Sequence, residues 1–415
     1  MRQILKQTSW LFFAQVLGRL IGFFYTIFLA RNLGVSEFGL YATALAYFSL
    51  FSSIADFGFN KFLIREVSHD HRKIPELLTG ISILRLTFTS ILFSIFAVLL
   101  YFLDPDKIRV SLILLAVLAL LPQSLSLTLD AVFTALQRLQ YSSISLIAFN
   151  LSATILGVLL IYLGFGPQGA VIAFILGQVV YLLTMVLFLT MQKNKFVVVK
   201  IISEIKLPAL KKIIQGSLIY GVLGMIGVAS FKMDIIILSY LRGNFETGIY
   251  SAAYKFLEGV SFIPITLSTA LFPVFSKLHK NNQRQLSSIY FKSLKIMLFL
   301  GVATSLLFIL FLPIVIKTFL PNYLASIQIL KILALAIPFI FLHIPSAQVL
   351  LSTDKYLKQS LIMYILLISM NLILYLIFIP KFGLLGASWV TVFSELTTLV
   401  VFTAFLTRKV LKSSI

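Results

Sequence analysis

The chain has 415 residues, of which 60% are hydrophobic and only 12% charged, yet its net charge is +20. With a mean hydropathy of +1.03, well above a soluble domain that is about 45–50% apolar, this composition excludes a set of soluble domains in favour of one polytopic membrane protein. The absence of cysteine excludes disulfides and thiolate metal sites.

In chain order the hydropathy pattern predicts twelve spans, approximately 8–30, 38–58, 78–103, 110–136, 142–164, 168–191, 213–241, 248–275, 293–319, 324–351, 359–379 and 384–407. Each is near the roughly 20 residues needed to cross a hydrocarbon core. The N-terminal stretch Met1 to Ser9 has two basic residues and no small-residue cleavage site after it, so it reads as the lead into the first span and not as a cleaved signal. With the N-terminus inside, the cytoplasmic segments are 1–7, 59–77, 137–141, 192–212, 276–292, 352–358 and 408–415. With Lys295 they hold 23 of the 34 Lys and Arg, against six outside: Arg31, Lys107, Arg109, Arg242, Lys317 and Lys381. This bias predicts a cytoplasmic (inner) membrane location with both termini inside. It also assigns most of the charge to anionic lipid headgroups and not to nucleic acid. The lysine-rich segment 192–212 reads as an inter-lobe linker, giving lobes 1–200 and 201–415.

Short strings recur between the halves. Phe38-Gly39-Leu40-Tyr41-Ala42-Thr43-Ala44 is matched by Thr247-Gly248-Ile249-Tyr250-Ser251-Ala252-Ala253, an offset of 209 in the numbering. Gly166-Pro167-Gln168-Gly169-Ala170 is matched by Gly383-Leu384-Leu385-Gly386-Ala387, an offset of 217. Six spans separate each pair, so the copies face the same way. The predicted fold is all-α and integral to the membrane, with twelve transmembrane helices in two six-helix lobes around a central cavity.

Five basic residues fall within spans: Arg19, Arg85, Lys232, Lys255 and Lys331. A cation at the centre of a membrane helix costs about 2.5–3.5 kcal/mol on insertion scales, which marks it as a functional candidate. The first four form a possible ladder for an anionic substrate, with Arg offering a bidentate fork to phosphate. Arg19 and Arg85 have no close acidic neighbour in sequence and are the stronger ligands. Lys232 and Lys255 lie near Asp234 and Glu258, and cross-pairs Lys232–Glu258 and Asp234–Lys255 would make a gate or coupling site. Asp56, Asp130 and Glu395 complete the gating or coupling set, and His343 is a candidate for proton transfer. His69 and His71 flank Asp70 in a polar loop without further metal ligands. Asn150, Gln178 and Asn371 read as interhelical glue. Pro122, Pro264, Pro273, Pro338 and Pro345 are expected to kink spans 4, 8 and 10. Nucleotide loops, catalytic triads and metal clusters are missing, so neither an enzyme nor a bound cofactor is expected.

Arg19-Leu20-Ile21-Gly22, then Ala30-Arg31-Asn32-Leu33-Gly34-Val35-Ser36-Glu37-Phe38-Gly39-Leu40-Tyr41, then Asp56-Phe57-Gly58-Phe59 and Arg65-Glu66 resemble the polysaccharide-export flippases that move lipid-linked oligosaccharides such as O-antigen units. Their superfamily also holds lipid II flippases and multidrug and toxic compound exporters. The resemblance implies alternating access by a two-lobed transporter of an undecaprenyl-pyrophosphate-linked glycan in a bacterial inner membrane. Coupling to protons or sodium stays open at this point, and a glycan polymerase is a candidate partner. Lipid II flippases resemble span 1 in an Arg-x-x-Gly element whose Arg corresponds to Arg19 and is important for flipping. Tyr25 and Thr26 stand where that branch carries an Arg followed by Asp, and its usual two extra C-terminal helices are missing, which argues against lipid II as substrate. A drug exporter of the same superfamily and a non-transporting scaffold of a glycan-assembly complex are the alternatives. The basic ladder argues against the first, and charge buried in both lobes against the second.

Overall fold

The computed structural model describes residues 2–191 and 207–411, and among these every regular element is a helix. Lys193, Lys195, Lys200 and Lys206 of the expected linker lie outside the described residues, as does the chain end beyond Leu411.

The first unit begins with α1 (Arg2–Leu33), α2 (Val35–Asp56), α3 (Phe59–His69) and α4 (Ile74–Leu103). It continues with α5 (Lys107–Leu118), α6 (Leu120–Ala135), α7 (Leu139–Tyr162) and α8 (Gly166–Thr190). Then come α9 (Leu207–Asn281), α10 (Gln283–Leu310), α11 (Leu312–Phe319), α12 (Ser326–Ala334), α13 (Ile337–Leu351) and α14 (Leu357–Lys409). Nine helical stretches are long and apolar enough to cross a membrane among the described residues, or ten when the bent pair α12–α13 is one span. Two of these, α9 and α14, are each a pair of helices joined through a glycine with non-helical torsions, Gly243 and Gly383. Counting both halves gives the twelve expected spans. The chain divides by internal packing into Met1–Lys232 and Met233–Ile415.

The boundary falls inside α9 and not in the segment 192–212 because glycines let the first part of α9 pack tightly in the first unit. A Cβ at Gly221 would sit 2.6 Å from the backbone carbonyl of Phe57, and one at Gly58 would sit 2.5 Å from the carbonyl oxygen of Ser217. Gly216 lies under the ring of Phe62, and Ile213 lies under Gly80. Arg65 donates to the Tyr220 hydroxyl at 3.3 Å across the same contact.

Segment 59–77 reads as a polar loop in the sequence, yet α3 occupies its first half. Phe59, Phe62, Leu63 and Val67 recur at helical spacing and are all buried. They join Leu77, Ile81, Val132, Phe133, Tyr181 and Met185 in the core of the first unit. His69, Asp70 and His71 then serve local turns: His69 Nδ1 meets the Arg65 carbonyl at 2.8 Å, and Asp70 accepts from the Arg72 amide at 3.0 Å.

The repeats seen in sequence recur as backbone geometry within each unit. Gly34, which precedes α2, has φ 78° and ψ 173°, and Gly243, its counterpart in the first repeat, has φ 82° and ψ −176°. Gly166 and Gly383, the counterparts in the second repeat, have φ 53° and 56°. Glu37 Oε2 approaches the Cβ side of Gly166, and its counterpart Glu246 accepts from the Leu384 amide at 3.2 Å beside Gly383. Arg242 holds Glu246 there at 2.8 Å. In both units, then, an acid at the start of one helix meets a left-handed glycine at the start of another. A side chain at either glycine would be strained.

Two of the expected proline kinks coincide with breaks, and both have a backbone cause. Pro122 removes the amide that would bond Leu118, and α5 ends there. Pro338 frees the carbonyl of Ala334 where α12 ends, and α12 and α13 meet at 43°. Ser305 on α10 satisfies that carbonyl at 2.7 Å. Ser305→Ala is therefore expected to cost about 1–3 kcal/mol, the penalty of an unpaired buried acceptor, measured as a loss of thermal stability in detergent. Pro264 and Pro273 lie inside α9 with no such break recorded. The α10–α11 junction before Pro313 was not expected from the sequence.

Between α4 and α5, Asp104 and Arg109 form a buried pair at 2.5–2.7 Å. Burial opposes the charge on Asp104, but hydrogen bonds from Arg109 and the Asp106 amide outweigh it and hold the carboxyl below its usual range.

Candidate functional site

Arg85 is the largest fully buried side chain among the described residues, 1% exposed. Its place on α4 turns it towards α2, α3 and α6. One terminal nitrogen, Nη2, is bonded to Asp56 and donates to Asn60 Oδ1 at 2.9 Å. The other, Nη1, donates to Thr128 Oγ1 at 2.9 Å and the Ser124 carbonyl at 3.2 Å. The Phe59 ring lies 5.9 Å from the guanidinium carbon. The missing acid is supplied by another helix: Asp56 ends α2, where the left-handed Phe57 and Gly58 turn the chain. A small pocket of about 10 Å³, room for about one water, lies beside the pair, lined by Ser52, Asp56, Arg85, Gln123 and Ser124 and by the apolar Ala55, Leu120 and Leu127. An anion approaching it would meet an arginine whose terminal nitrogens are already engaged. Asp130 lies further along α6, beside Ser142 and Tyr181 and within electrostatic reach of Arg85.

Arg19 is placed differently. On α1, Gly18 packs against Asn150 of α7 and Tyr25 against Gly157. That face buries the small residues and leaves Arg19 exposed. Asn150 donates to the Leu146 carbonyl of its own helix at 2.7 Å. Gln178 and Asn371 are buried, and Asn371 Oδ1 has no hydrogen-bond partner among the described residues.

In the second unit Asp234 is 1% exposed and accepts from the Tyr250 hydroxyl at 2.6 Å and the Ile235 amide at 2.8 Å. Tyr250 and Tyr375 both reach Thr391, at 3.3 and 3.2 Å. Lys255 meets Glu258 on its own helix at 2.8 Å, not Asp234 as the cross-pairing expects. Residues three apart share a helix face, and both are about one-third exposed, whereas Asp234 is sealed among tyrosines. Lys232 is half-buried. His343 and Glu395, read separately from the sequence, come together at 3.0 Å. Among the described residues no group of three or more potential ligands could hold a metal ion.

The repeat relation exposes an asymmetry. At the offset of the first repeat, Tyr25 corresponds to Asp234 and Tyr41 to Tyr250. The first unit therefore brings two tyrosines into electrostatic contact where the second brings an aspartate and a tyrosine. Tyr250 was missed as a site residue although it lies inside the repeated string. Asn60, Thr128, Tyr375 and Thr391 carried no sequence signal, because their partners are distant in the chain.

Comparison with known proteins follows the same lines. A family model described as polysaccharide biosynthesis protein matches residues 4–279, and the MatE model matches 222–379. An uncharacterized membrane protein of Methanocaldococcus jannaschii is 25% identical, over 94% of this chain and 81% of its own. The lipid II flippase MurJ in an inward closed conformation superposes with a TM-score of 0.75 at 17% identity, covering 97% of this chain and 89% of that one. A MOP superfamily transporter from Pyrococcus furiosus gives 0.70 at 16% identity, with 98% and 95% covered. An inward-facing MATE family transporter gives 0.71 at 16%, with 95% and 96% covered. This multi-pass membrane protein therefore belongs to the polysaccharide biosynthesis protein family, and its fold is that of the MOP superfamily transporters.

Proposed function

We propose that the protein is a flippase that carries a polyprenyl-pyrophosphate-linked oligosaccharide from the cytoplasmic to the outer leaflet by alternating access, for assembly of a cell-surface polysaccharide. The observation that carries this reading is Arg19, an exposed guanidinium about halfway along α1, the one charged residue between Lys6 and Arg31 in a helix of a polysaccharide-family protein. A cation kept at that depth is matched by a pyrophosphate, which accepts the paired donors of arginine. Lys232 and Lys255 act as further phosphate ligands, with Lys255 released from Glu258 as substrate arrives. Arg85 belongs to the same pathway as a cation held by Asp56, setting the local potential in the first unit. Asp130 tunes that potential from α6. Asp234 and Glu395 serve ion coupling in the second unit.

The membrane potential favours the reaction in this direction. An anion leaving a negative interior gains about 2.3 kcal/mol per charge per 100 mV. The test is a reconstituted flipping assay with a labelled polyprenyl-pyrophosphate glycan. Arg19→Ala is expected to lower the rate at least about tenfold, the equivalent of about 1.4 kcal/mol for a lost charge-assisted contact. Wild-type rates in that variant would remove Arg19 from the pathway. The MatE match over 222–379 favours a second reading, a cation-coupled drug exporter. Transport of a cationic dye, without movement of the glycan lipid, would select it.

A further inference from the structure

His343 and Glu395 form a titratable pair deep in the second unit. His343 Nδ1 and Glu395 Oε2 face each other at 3.0 Å. Both atoms are sealed from solvent, and neither makes a well-aligned hydrogen bond among the described residues. Along α14, Glu395 lies about 16 Å from Leu384 and about 21 Å from Lys409 at the ordinary helical rise. That places the carboxyl near the middle of its span. A buried polar group without an aligned partner calls for an explanation, and an ionisable one at membrane depth is a functional site by default.

The surroundings are polar but supply no second charge at contact distance among the described residues. Tyr254 of α9 and Tyr364 and Tyr375 of α14 lie within electrostatic reach of Glu395. Tyr254 also feels Asp234 and Glu258. From α10 the titratable neighbour is Tyr290, which meets Ser346 at 2.9 Å, one turn along α13 from His343. Lys331 on α12 and Lys292 on α10 are exposed, and so is Lys295 on α10. The charge of the pair therefore depends on its own protons.

We propose that His343 and Glu395 are a proton-binding site that couples proton movement to the conformation of α13. With one proton the pair is neutral overall, a histidinium against a carboxylate or two neutral groups. Loss of that proton to water leaves a net charge of −1 at membrane depth, which is costly there. Return of the proton from the opposite side restores the neutral pair. His343 lies on a helix already broken from α12 at 43° and carrying Pro345. That helix can respond to the change without losing intact hydrogen bonds at the break, where Ser305 already replaces the missing donor.

This site deepens the flippase reading by naming its coupling ion, but its test is independent of the substrate. The chain has only four histidines, so the resonance of His343 in histidine-labelled full-length protein is assigned by its disappearance in His343→Gln. The expected result is that His343 titrates and that Glu395→Gln shifts the midpoint. Amide protection in 337–346, corrected for the intrinsic pH dependence of exchange and clear of Val349, whose carbonyl meets the titratable His279 at 3.0 Å, is expected to change across the His343 titration in the wild type and to stay level in Glu395→Gln. A His343 titration unchanged by Glu395→Gln, or corrected protection in 337–346 that stays level across the titration in the wild type, overturns the proposal. Failure of the wild-type protein to move the glycan lipid, with the titration and exchange results intact, instead overturns the flippase reading alone.

Discussion

Asp56→Ala is expected to destabilise the protein by about 3 kcal/mol, the lower end of the cost of breaking a buried ion pair, seen as a large drop in the thermal unfolding temperature in detergent. Removing one partner of such a pair leaves the other charge uncompensated, at a typical cost of about 3–5 kcal/mol. The lower end applies because the Asp56 side chain is 27% exposed while Arg85 is 1% exposed. Asn60, Ser124 and Thr128 still accept hydrogen bonds from Arg85 in the variant, but none offers a negative charge. The double variant Asp56→Leu with Arg85→Met should regain much of the loss, since an apolar pair of similar size needs no desolvation of charge. The two substitutions should thus be strongly non-additive. Single variants within about 0.5 kcal/mol of wild type, the range of ordinary surface changes, would show that the pair has no structural weight. The double variant also separates structure from function. If it is stable yet slow in flipping, the ion pair matters to transport beyond its structural weight.

The second large effect is expected at the glycine contact of α9. Gly58 has φ 78°, and its missing Cβ is matched against backbone atoms of Ser217 and Tyr220. Backbone cannot rotate away as a flexible side chain can. Gly58→Ala therefore meets about 1–2 kcal/mol for a left-handed L-residue and about 1–3 kcal/mol for overpacking. Gly221→Ala meets only the second cost, against Phe57. The expected outcome is loss of amide protection in 59–69 and 210–221 for both variants, larger for Gly58→Ala. Tyr220→Phe, which removes only the partner of Arg65, should leave protection nearly unchanged. Equal protection in wild type and Gly221→Ala would mean that this contact is not formed in solution. If α9 must leave α3 during alternating access, Gly221→Ala will also alter the flipping rate out of proportion to its effect on stability.

Particular residues show how far the sequence carries. Hydropathy and the distribution of Lys and Arg are one-dimensional properties, and the spans they marked are helical where described. The two repeat offsets reach beyond their own strings once the structure is in hand: the first also pairs Gly34 with Gly243, Glu37 with Glu246 and Tyr25 with Asp234. Pro338 announced the break in span 10 because its effect on the backbone is local. Arg85 shows the limit. Its lack of an acid nearby in sequence made it look like a ligand, and only folding brings Asp56 to it from another helix. For Lys255 the local rule held, and Glu258, one turn on, is its partner.

The amino-acid sequence by itself determined that this is a twelve-span membrane protein of repeated halves, because apolar length, charge bias and glycine placement act along the chain. Tertiary structure alone decided which charges are buried and which side chains are exposed. It set Arg85 against Asp56, Asp234 against Tyr250 and His343 against Glu395, and it left Arg19 exposed. The reason is physical: a charge at membrane depth is governed by whatever stands within a few ångströms of it, and those neighbours come from helices far apart in the chain.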